Sequence, residues 1–419
     1  MINTVASVIT IGDELLIGQT IDTNSAWIGT HLNALGIDMH RRVAVGDNKG
    51  AITRALDEEL RTAHIVIITG GLGPTADDIT KPLLLEYFGG TMRVDDRVLA
   101  HVRDLFTKRN RPMLERNLKQ AEVPDSCTVL FNARGTAPGM WFERDGRVVI
   151  SLPGVPNEMA GIMEDEVLPR LGERFVSGAI VHNTLVTAGE GESFIAEKIA
   201  DIENSLPPHI RLAYLPGAGT VKLRLTGRGA STDRLQAEIS PFFNAMADRL
   251  GTTVVAHTDV PLERVLYDLF TARGITMAMA ESCTGGLIAH LITQVPGASG
   301  ILQGGVVCYS DYSKSELLGV SKETLEAHGA VSEAVALEMA AGAQRLLKAD
   351  YALAVTGLLG PASASDTQPV GTVWMAAASR TEVVAKKFRF FYDRSRNKEM
   401  AAAMAMLLLY RFVQGYPVA

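Results

Sequence analysis

Four consecutive β-favouring apolar residues, Ile65-Val66-Ile67-Ile68, run without interruption into TGGLGPTADDIT at 69–80. An apolar run with no polar alternation reads as a strand buried on both faces, and such strands belong to sheets covered by helices on either side. The next segment turns. Gly70, Gly71 and Gly73 let the backbone bend tightly and bring its N–H groups close to an anion. Asp77 and Asp78 add two carboxylates of the kind that hold a divalent metal. Phosphate donors, a metal clamp and a strand end that delivers both make a candidate phosphate-handling loop. The plainer alternative is a glycine-rich turn with two solvated acids.

The same rhythm extends in both directions. A strand at 4–11 ends at Gly12-Asp13-Glu14, an amphipathic helix at 23–35 stops at Gly36, and a strand near 37–45 and a helix at 50–62 follow. Strand–helix alternation with short loops predicts a mostly parallel sheet with ligands at the carboxyl ends of its strands. Loops GTAPGM (135–140) and LPGVPNEM (152–159) also adjoin apolar strands, and a helix near 157–170 closes this part.

Residues 180–255 change character: a strand at 181–187, a helix at 192–204, and strands at 209–215 and 219–227 joined by Pro216-Gly217-Ala218. A helix from Ser231-Thr232 follows, which Pro241 is expected to kink or split. No reactive constellation falls here, so the stretch reads as a structural connector. Beyond it Asp259 is expected to cap a helix with Pro261 in its first turn and Gly274 past its end. Alternation then resumes: strand 275–280, helix 285–294, strand 304–309, helices at 311–318, 321–328 and 332–348, strands at 351–356, 370–379 and 382–391, and a helix from about 394.

A chain of 419 residues exceeds one ordinary core. The expected division is 1–170, a connector at 171–256, and 257–419. Charge argues against a nucleic-acid groove: 40 Lys plus Arg against 47 Asp plus Glu leave −7, with no basic, aromatic-interleaved run. Cys127, Cys283 and Cys308 are too few and scattered for a disulfide framework or a cysteine zinc site, which fits a reducing, cytoplasmic setting. The N-terminus lacks a basic leader, and the apolar run at 400–410 is about half a membrane span.

A second candidate site lies at AESCTGG (280–286), again a strand entering a small, glycine-bearing turn. Ser282, Cys283 and Thr284 stand where helix N-terminal amides are unpaired, an arrangement suited to acyl transfer. A helix cap is the equal alternative. Cys283 is the more nucleophilic side chain but needs a base. His290, eight residues from Ser282, would be about 12 Å away along a continuous helix. Lys314, following Cys308-Tyr309-Ser310, offers activation without histidine, although a lysine there reads locally as a solvated helix residue. Cys308 reads as core. The loop 356–372 is long enough to be functional, and Arg394 and Arg396 could hold a phosphate.

Taken together, GDELLIG (12–18), DTNSAWI (22–28), TGGLGPTADDIT, RGTAPGM (134–140), LPGVPNEM, AESCTGG, VVCYSDYSK (306–314), HGAVSE (328–333), TGLLGP, PVGTVW (369–374) and YDRSR (392–396) resemble the CinA family of competence/damage-inducible proteins, over residues 2–413. The resemblance implies a three-domain α/β chain: a molybdopterin-binding-like (MoaB/MogA-like) three-layer domain, a small α+β connector, and a deamidase-like C-terminal domain. It further implies metal-dependent ADP-ribose pyrophosphatase activity in the first domain and nicotinamide mononucleotide (NMN) deamidation, with no cofactor, in the last. Carried over by motif, Ser282 would be the nucleophile, and Tyr309 and Lys314 would handle its proton. Cys283, Thr284, Gly285, Gly286, Ser299, Thr356 and Arg394 would shape or contact the nucleotide site. In the first domain Asp13, Glu14, Asp77 and Asp78 would surround a divalent metal, Mg or similar, and the pyrophosphate, with Gly70, Gly71, Gly73, Thr75, Asn132, Gly135 and Thr136 nearby. A homodimer and small-molecule nucleotides, with no membrane and no direct nucleic acid, are the partners implied. One departure is visible. Ala362-Ser363-Ala364-Ser365 stand where such deamidases carry glycines, and Gln368 where they commonly carry lysine. Added Cβ atoms restrict backbone approach to a ligand, so altered nucleotide binding is expected. The alternative from another class is a binding or adaptor protein in DNA uptake or recombination that retains these folds as scaffolds, or a pterin-binding protein.

Overall fold

The computed structural model describes residues 4–75, 78–175, 178–361 and 368–417. Asp77 and residues 362–365, singled out above, lie outside the described residues. The chain divides into two compact units, Met1–Val181 with Arg228–Gln236, and His182–Gly227 with Ala237–Ala419.

In the first unit the strands are β1 (Val5–Ile11), β2 (Asp38–Val45), β3 (Ile65–Thr69), β4 (Met92–Val94), β5 (Glu122–Pro124), β6 (Thr128–Leu130), β7 (Gly139–Arg144) and β8 (Arg147–Leu152). The helices are α1 (Asp13–Leu16), α2 (Thr23–Ala34), α3 (Lys49–Thr62), α4 (Thr80–Phe88), α5 (Asp96–Lys108), α6 (Glu115–Leu118), α7 (Pro156–Ile162) and α8 (Leu168–Phe175). The main sheet has the order β2-β1-β3-β8-β7-β6. Strands β2, β1, β3 and β8 run parallel, as the alternation predicts. Strands β7 and β6 add an antiparallel edge. Its cause is a two-residue hairpin: Asp145 and Gly146 both take positive φ (52° and 79°), the backbone that an Asp-Gly turn favours. Burial on both faces follows strand parity. Ala6, Val8, Ile65, Ile67, Val148 and Ile150 join one core, while Ile9, Ile11, Val66, Ile68 and Val149 join the other. The closing helix runs past 170, through a π-turn at Met163–Val167 and on to Phe175.

The next elements are β9 (Ala179–Ala188), α9 (Glu192–Asn204), β10 (Ile210–Pro216), β11 (Thr220–Gly229), α10 (Thr232–Leu250) and β12 (Val254–Ala256), with sheet order β10-β11-β9-β12; the start of β9, the end of β11 and the first turn of α10 fall in the first unit and the rest in the second. Pro241 does not split α10, which is one helix of 19 residues. Leu235, Ile239 and Met246 bury a continuous apolar face that holds the helix together on both sides of the proline. Next come α11 (Leu262–Arg273), β13 (Met277–Glu281), α12 (Leu287–Thr293), β14 (Leu302–Val307), α13 (Asp311–Leu318), α14 (Lys322–His328), α15 (Glu333–Leu347), β15 (Tyr351–Gly357), β16 (Thr372–Ala378), β17 (Val383–Arg389) and α16 (Arg394–Gln414). Their sheet has the order β14-β13-β15-β16-β17, parallel across the first three strands and antiparallel thereafter. Asp259 does not cap α11: it pairs with Lys222 at 2.6 Å, and Pro261 holds the cap position. Gly274 ends that helix in the left-handed region, as expected. Val186, Ala188 and Val255 of the first sheet share one core with residues of α11, β13 and α16.

The two faces of the second sheet differ in side-chain size. Met277, Met279, Leu353 and Val355 face the large core. Ala278, Ala280, Ala352, Ala354, Ala376 and Ala378 face α15, which answers with Ala336, Ala340 and Ala343. Small against small brings the helix close. It also leaves no room at Gly342, where a Cβ would stand 2.0 Å from the Leu318 carbonyl oxygen at the end of α13. Gly342→Ala is therefore expected to cost about 2 kcal/mol or more by overpacking. Gly300→Ala, where a Cβ meets nothing within 4 Å, should stay within about 0.5 kcal/mol. Urea denaturation of the two variants tests the contrast, and equal midpoints would refute it.

Candidate active site

Strand β13 lies between β14 and β15, and its carboxyl end is fixed from both sides. Ser282 N donates to Val355 O at 2.9 Å and Cys308 N donates to Glu281 O at 2.9 Å. The chain then turns through Gly285 and Gly286 at φ of 60° and 93°, a left-handed pair that glycine adopts without strain. Glu281 closes this turn. Its carboxylate is 2% exposed and accepts from Gly286 N (3.0 Å), Ile288 N (3.1 Å) and Ala289 N (2.9 Å). The amides that the sequence reserves for an oxyanion are thus occupied by an internal anion at the start of α12. Among the described residues the Cys283 and Thr284 amides donate to no protein acceptor.

Lys314 comes from α13, which Ser310 caps by accepting from Ser313 N. The solvated lysine of the local sequence reading is instead 1% exposed. Its Nζ donates to Ser282 Oγ at 3.3 Å, to Cys308 O at 3.2 Å and to Tyr309 O at 3.3 Å. No carboxylate lies within ion-pair distance of it among the described residues. Ser282 and Lys314 open onto a cleft of about 220 Å³ lined by Cys283, Tyr309, Asp311, Thr356, Gly360 and Arg394, among others. Arg394 donates to Gly360 O and, at 3.3 Å, to the Tyr309 hydroxyl. Thr356 spends its hydroxyl proton on Ala330 O at 2.8 Å. Burial pushes the Cys283 thiol up to about 12 and the Cys308 thiol up to about 11.

In the first unit, the glycine loop after β3 is packed against itself. A Cβ on Gly70 would stand 2.4 Å from Ile11 O, so the close approach of the two strand ends requires glycine. The anion that the loop amides meet is Asp78. Gly73 N donates to it at 2.7 Å, Thr75 N at 2.8 Å and Thr75 Oγ1 at 2.5 Å. Both carboxylate oxygens are therefore committed within the loop. Asp13 exchanges bonds with Asp47: its amide donates at 3.1 Å and its carboxylate accepts from the Asp47 amide at 3.3 Å. Asn132 donates to Glu158 at 2.7 Å and to Ala137 O at 2.8 Å, and a Cβ on Gly135 would overlap the Glu158 carboxylate, with half-buried Thr136 beside them in sequence. Glu14 lines a separate cleft with Asn24 and Thr69. Among the described residues no group of three or more His, Cys, Asp or Glu side chains is poised to hold a metal ion. Asp13, Glu14 and Asp78 thus do not assemble the expected centre by themselves.

Three family models match the chain. Residues 7–173 match one described as "Probable molybdopterin binding domain", 182–256 match "Damage-inducible protein CinA KH domain", and 259–413 match "CinA C-terminal domain". A CinA-like protein from Cytophaga hutchinsonii is 45% identical over 406 residues, covering 97% of each chain. One from Salinibacter ruber is 43% identical, over 96% of this chain and 97% of that one. The chain belongs to the CinA family. Its fold is α/β, with a molybdopterin-binding-like first domain and separate sheets beyond it. The crystal structure of competence/damage inducible protein CihA from Agrobacterium tumefaciens shares 37% identity over 36% of this chain and 93% of that one, with a TM-score of 0.36.

The family motifs of the last domain converge unevenly. Ser282, Cys283, Tyr309, Lys314, Thr356 and Arg394 line one cleft. Ser299 does not join them: it is exposed in the turn before β14, at the end of that strand opposite Val307 and Glu281. Thr284 is fully buried with an unpaired hydroxyl, and Gly285 and Gly286 shape the turn rather than line the cleft. His290 is exposed, bonded to Gln294. Gln368 donates to Val331 O at 2.8 Å and so steadies a residue that lines the cleft. Three acids escaped the sequence reading: Glu281 and Asp311 in the last domain and Glu158 in the first. Each sits inside a quoted motif, so the signal was present without the contact. Lys81 was also missed; burial beside the 69–80 loop lowers it to about 8, and it donates to Gln120 O at 3.1 Å.

The raised thiols carry a test. At pH 8 a thiol with a pKa of about 12 is thiolate to roughly one part in 10⁴. Native protein treated with iodoacetamide at pH 8 should leave Cys127, Cys283 and Cys308 unlabelled by mass spectrometry, with labelling appearing in denaturant or as pH approaches 11. Rapid native labelling of Cys283 at pH 8 would contradict this.

Proposed function

We propose that the chain is a bifunctional nucleotide hydrolase: its last domain converts NMN and water to nicotinate mononucleotide and ammonia, and its first unit hydrolyses ADP-ribose to AMP and ribose 5-phosphate. The observation that carries the first half is the 3.3 Å contact between Lys314 Nζ and Ser282 Oγ in a cleft that also presents Arg394. Ser282 Oγ attacks the carboxamide carbon while its proton passes to Lys314 Nζ, which enters the step as the free amine, donating to Cys308 O and Tyr309 O and accepting from the serine hydroxyl. The oxyanion forms beside the unpaired Cys283 and Thr284 amides. Lys314 then returns the proton to the departing nitrogen, and water hydrolyses the acyl-serine by the reverse route. Arg394 suits the nucleotide phosphate. Tyr309, implied by the family as a proton handler, is 64% exposed with its hydroxyl on Arg394, which favours a part in seating that guanidinium.

The pyrophosphatase reading rests on the family resemblance and on the placing of the 69–80 loop at the carboxyl end of β3, where parallel sheets bind ligands. Divalent metal would supply charge neutralisation on the bridging oxygens. The described acids do not fit such an ion as they stand, so no step is routed through it.

Two assays with purified protein test both halves: ammonia release from NMN, and AMP release from ADP-ribose with and without Mg²⁺. Ser282→Ala and Lys314→Met should each lower kcat for ammonia release by about 10³-fold or more, with Cys283→Ser within about tenfold of the parent. The reverse ranking would overturn the nucleophile assignment. Asp78→Asn should raise KM for ADP-ribose by loosening the loop that the Asp78 carboxylate braces through Gly73 and Thr75, while the Mg²⁺ concentration for half-maximal rate stays fixed. A change in the Mg²⁺ requirement alone would make Asp78 a metal ligand instead. A folded protein inert in both assays would favour the adaptor reading.

A further inference from the structure

The segment DTNSAWI is left without a task by the chemistry above, and its asparagine is unusually placed. Asn24 lies in the first turn of α2 and is only 9% exposed. Its Nδ2 donates to Gly154 O at 2.8 Å and to Thr69 Oγ1 at 3.0 Å. A backbone carbonyl can only accept, so this pair fixes which way the amide faces. Thr69 in turn spends its own proton on Pro153 O at 3.0 Å and has none to offer back. The Oδ1 of Asn24 is therefore held in one orientation, buried, and without a hydrogen-bond partner. An orphaned buried acceptor is costly, so a donor from outside the chain would be well rewarded there.

Asn24 borders a cleft of about 130 Å³ at the carboxyl ends of β1 and β3. Glu14, Thr20, Thr69 and Gly154 also line it, and Thr69 is the first residue of the TGGLGPTADDIT loop. The chemistry of the lining narrows the ligand. Among the described residues its only ionisable groups are the acids Glu14 and Asp22, which disfavours a phosphate. Among the described residues no aromatic ring lines it, which gives a nucleobase no stacking face there. Asp22 is already engaged, accepting from Ser25 N at 2.9 Å and from Ser25 Oγ. Among the lining residues, Glu14 contributes a carboxylate and Asn24 an Oδ1 that accept only and have no proton of their own to offer, and Asn24 Oδ1 has no partner. A neutral group that presents two adjacent O–H donors satisfies both.

We infer that this cleft is a sugar-diol site, in which Asn24 and Glu14 accept from the vicinal hydroxyls of a ribose whose phosphates extend toward the 69–80 loop. Acids at the carboxyl ends of parallel strands commonly take a ribose hydroxyl in this way. The inference rests on the first unit binding a nucleotide, and deepens that reading by naming what Glu14 and the DTNSAWI segment recognise.

Titration calorimetry on the full chain in EDTA, with AMP and with 2′,3′-dideoxy-AMP, tests it. The parent protein should bind AMP about tenfold more tightly than the dideoxy nucleotide. Glu14→Gln, at an exposed position, should shrink that preference to about threefold or less while leaving the dideoxy Kd unchanged. Asn24→Ala should do the same, its folding checked by circular dichroism because it also releases Gly154 and Thr69. Equal Kd values for the two nucleotides in the parent would overturn the diol site and leave the nucleotide reading intact. A preference that survives Glu14→Gln would remove Glu14 from the site and overturn the inference likewise. Binding of neither nucleotide would remove the nucleotide reading and the diol site together.

Discussion

Everything about the second site depends on one buried carboxylate. Glu281 sits at the last position of β13, where burial alone would cost an isolated anion several kcal/mol. Three backbone amides at the start of α12 offset that cost through charge-assisted bonds of about 1.5–3 kcal/mol each, reinforced by the helix dipole. The turn from 282 to 286 is then no longer free to rearrange. Ser282 is held by Val355 on one side and by this closed turn on the other, and Lys314 can be aimed at a fixed oxygen. Helix α13, which carries Lys314, is positioned in turn by the alanine-lined face of the sheet and by the contact at Gly342.

The first unit repeats the device with a different acid. Asp78 occupies the amides of Gly73 and Thr75 just as Glu281 occupies those of Gly286, Ile288 and Ala289. A glycine-rich turn after a strand therefore has two uses for its N–H groups, and an acid inside the motif decides which applies. The groups left over are then the informative ones: the Cys283 and Thr284 amides next to the serine in the chain, and the unpaired side-chain carbonyl of Asn24, a residue that lines one cleft with Glu14.

Much of the architecture is legible in the sequence. Unbroken apolar runs such as Ile65-Val66-Ile67-Ile68 are buried on both faces because both faces are covered, and the parallel strands follow from that. The antiparallel β7–β8 edge was signalled by Asp145-Gly146 but passed over, because a lone turn dipeptide weighs little against a dominant alternation. Pro241 and Asp259 failed for the opposite reason. Local rules assign them a kink and a cap, and long-range contacts prevail: a buried helix face in one case, the Lys222 ammonium in the other. Lys314 is the largest such reversal, from solvated to sealed, because nothing in its own neighbourhood says that Ser282, 32 residues away, and the carbonyls of Cys308 and Tyr309 will converge on its Nζ.

By itself the sequence determined the strand–helix alternation, the two glycine turns at strand ends, the shortage of cysteine and of positive charge, and family membership through ordered motifs. These are properties of composition and near neighbours, which the chain carries in one dimension. Only the tertiary structure decided which polar atoms are already paired. Glu281 and Asp78 cover amides that the linear motif leaves open, Ser299 stands at the far end of β14 from the cleft, and Asn24 keeps an acceptor unpaired. Hydrogen bonds are exclusive and directional, so the use of a donor depends on every acceptor brought near it, and the folded chain alone fixes that set.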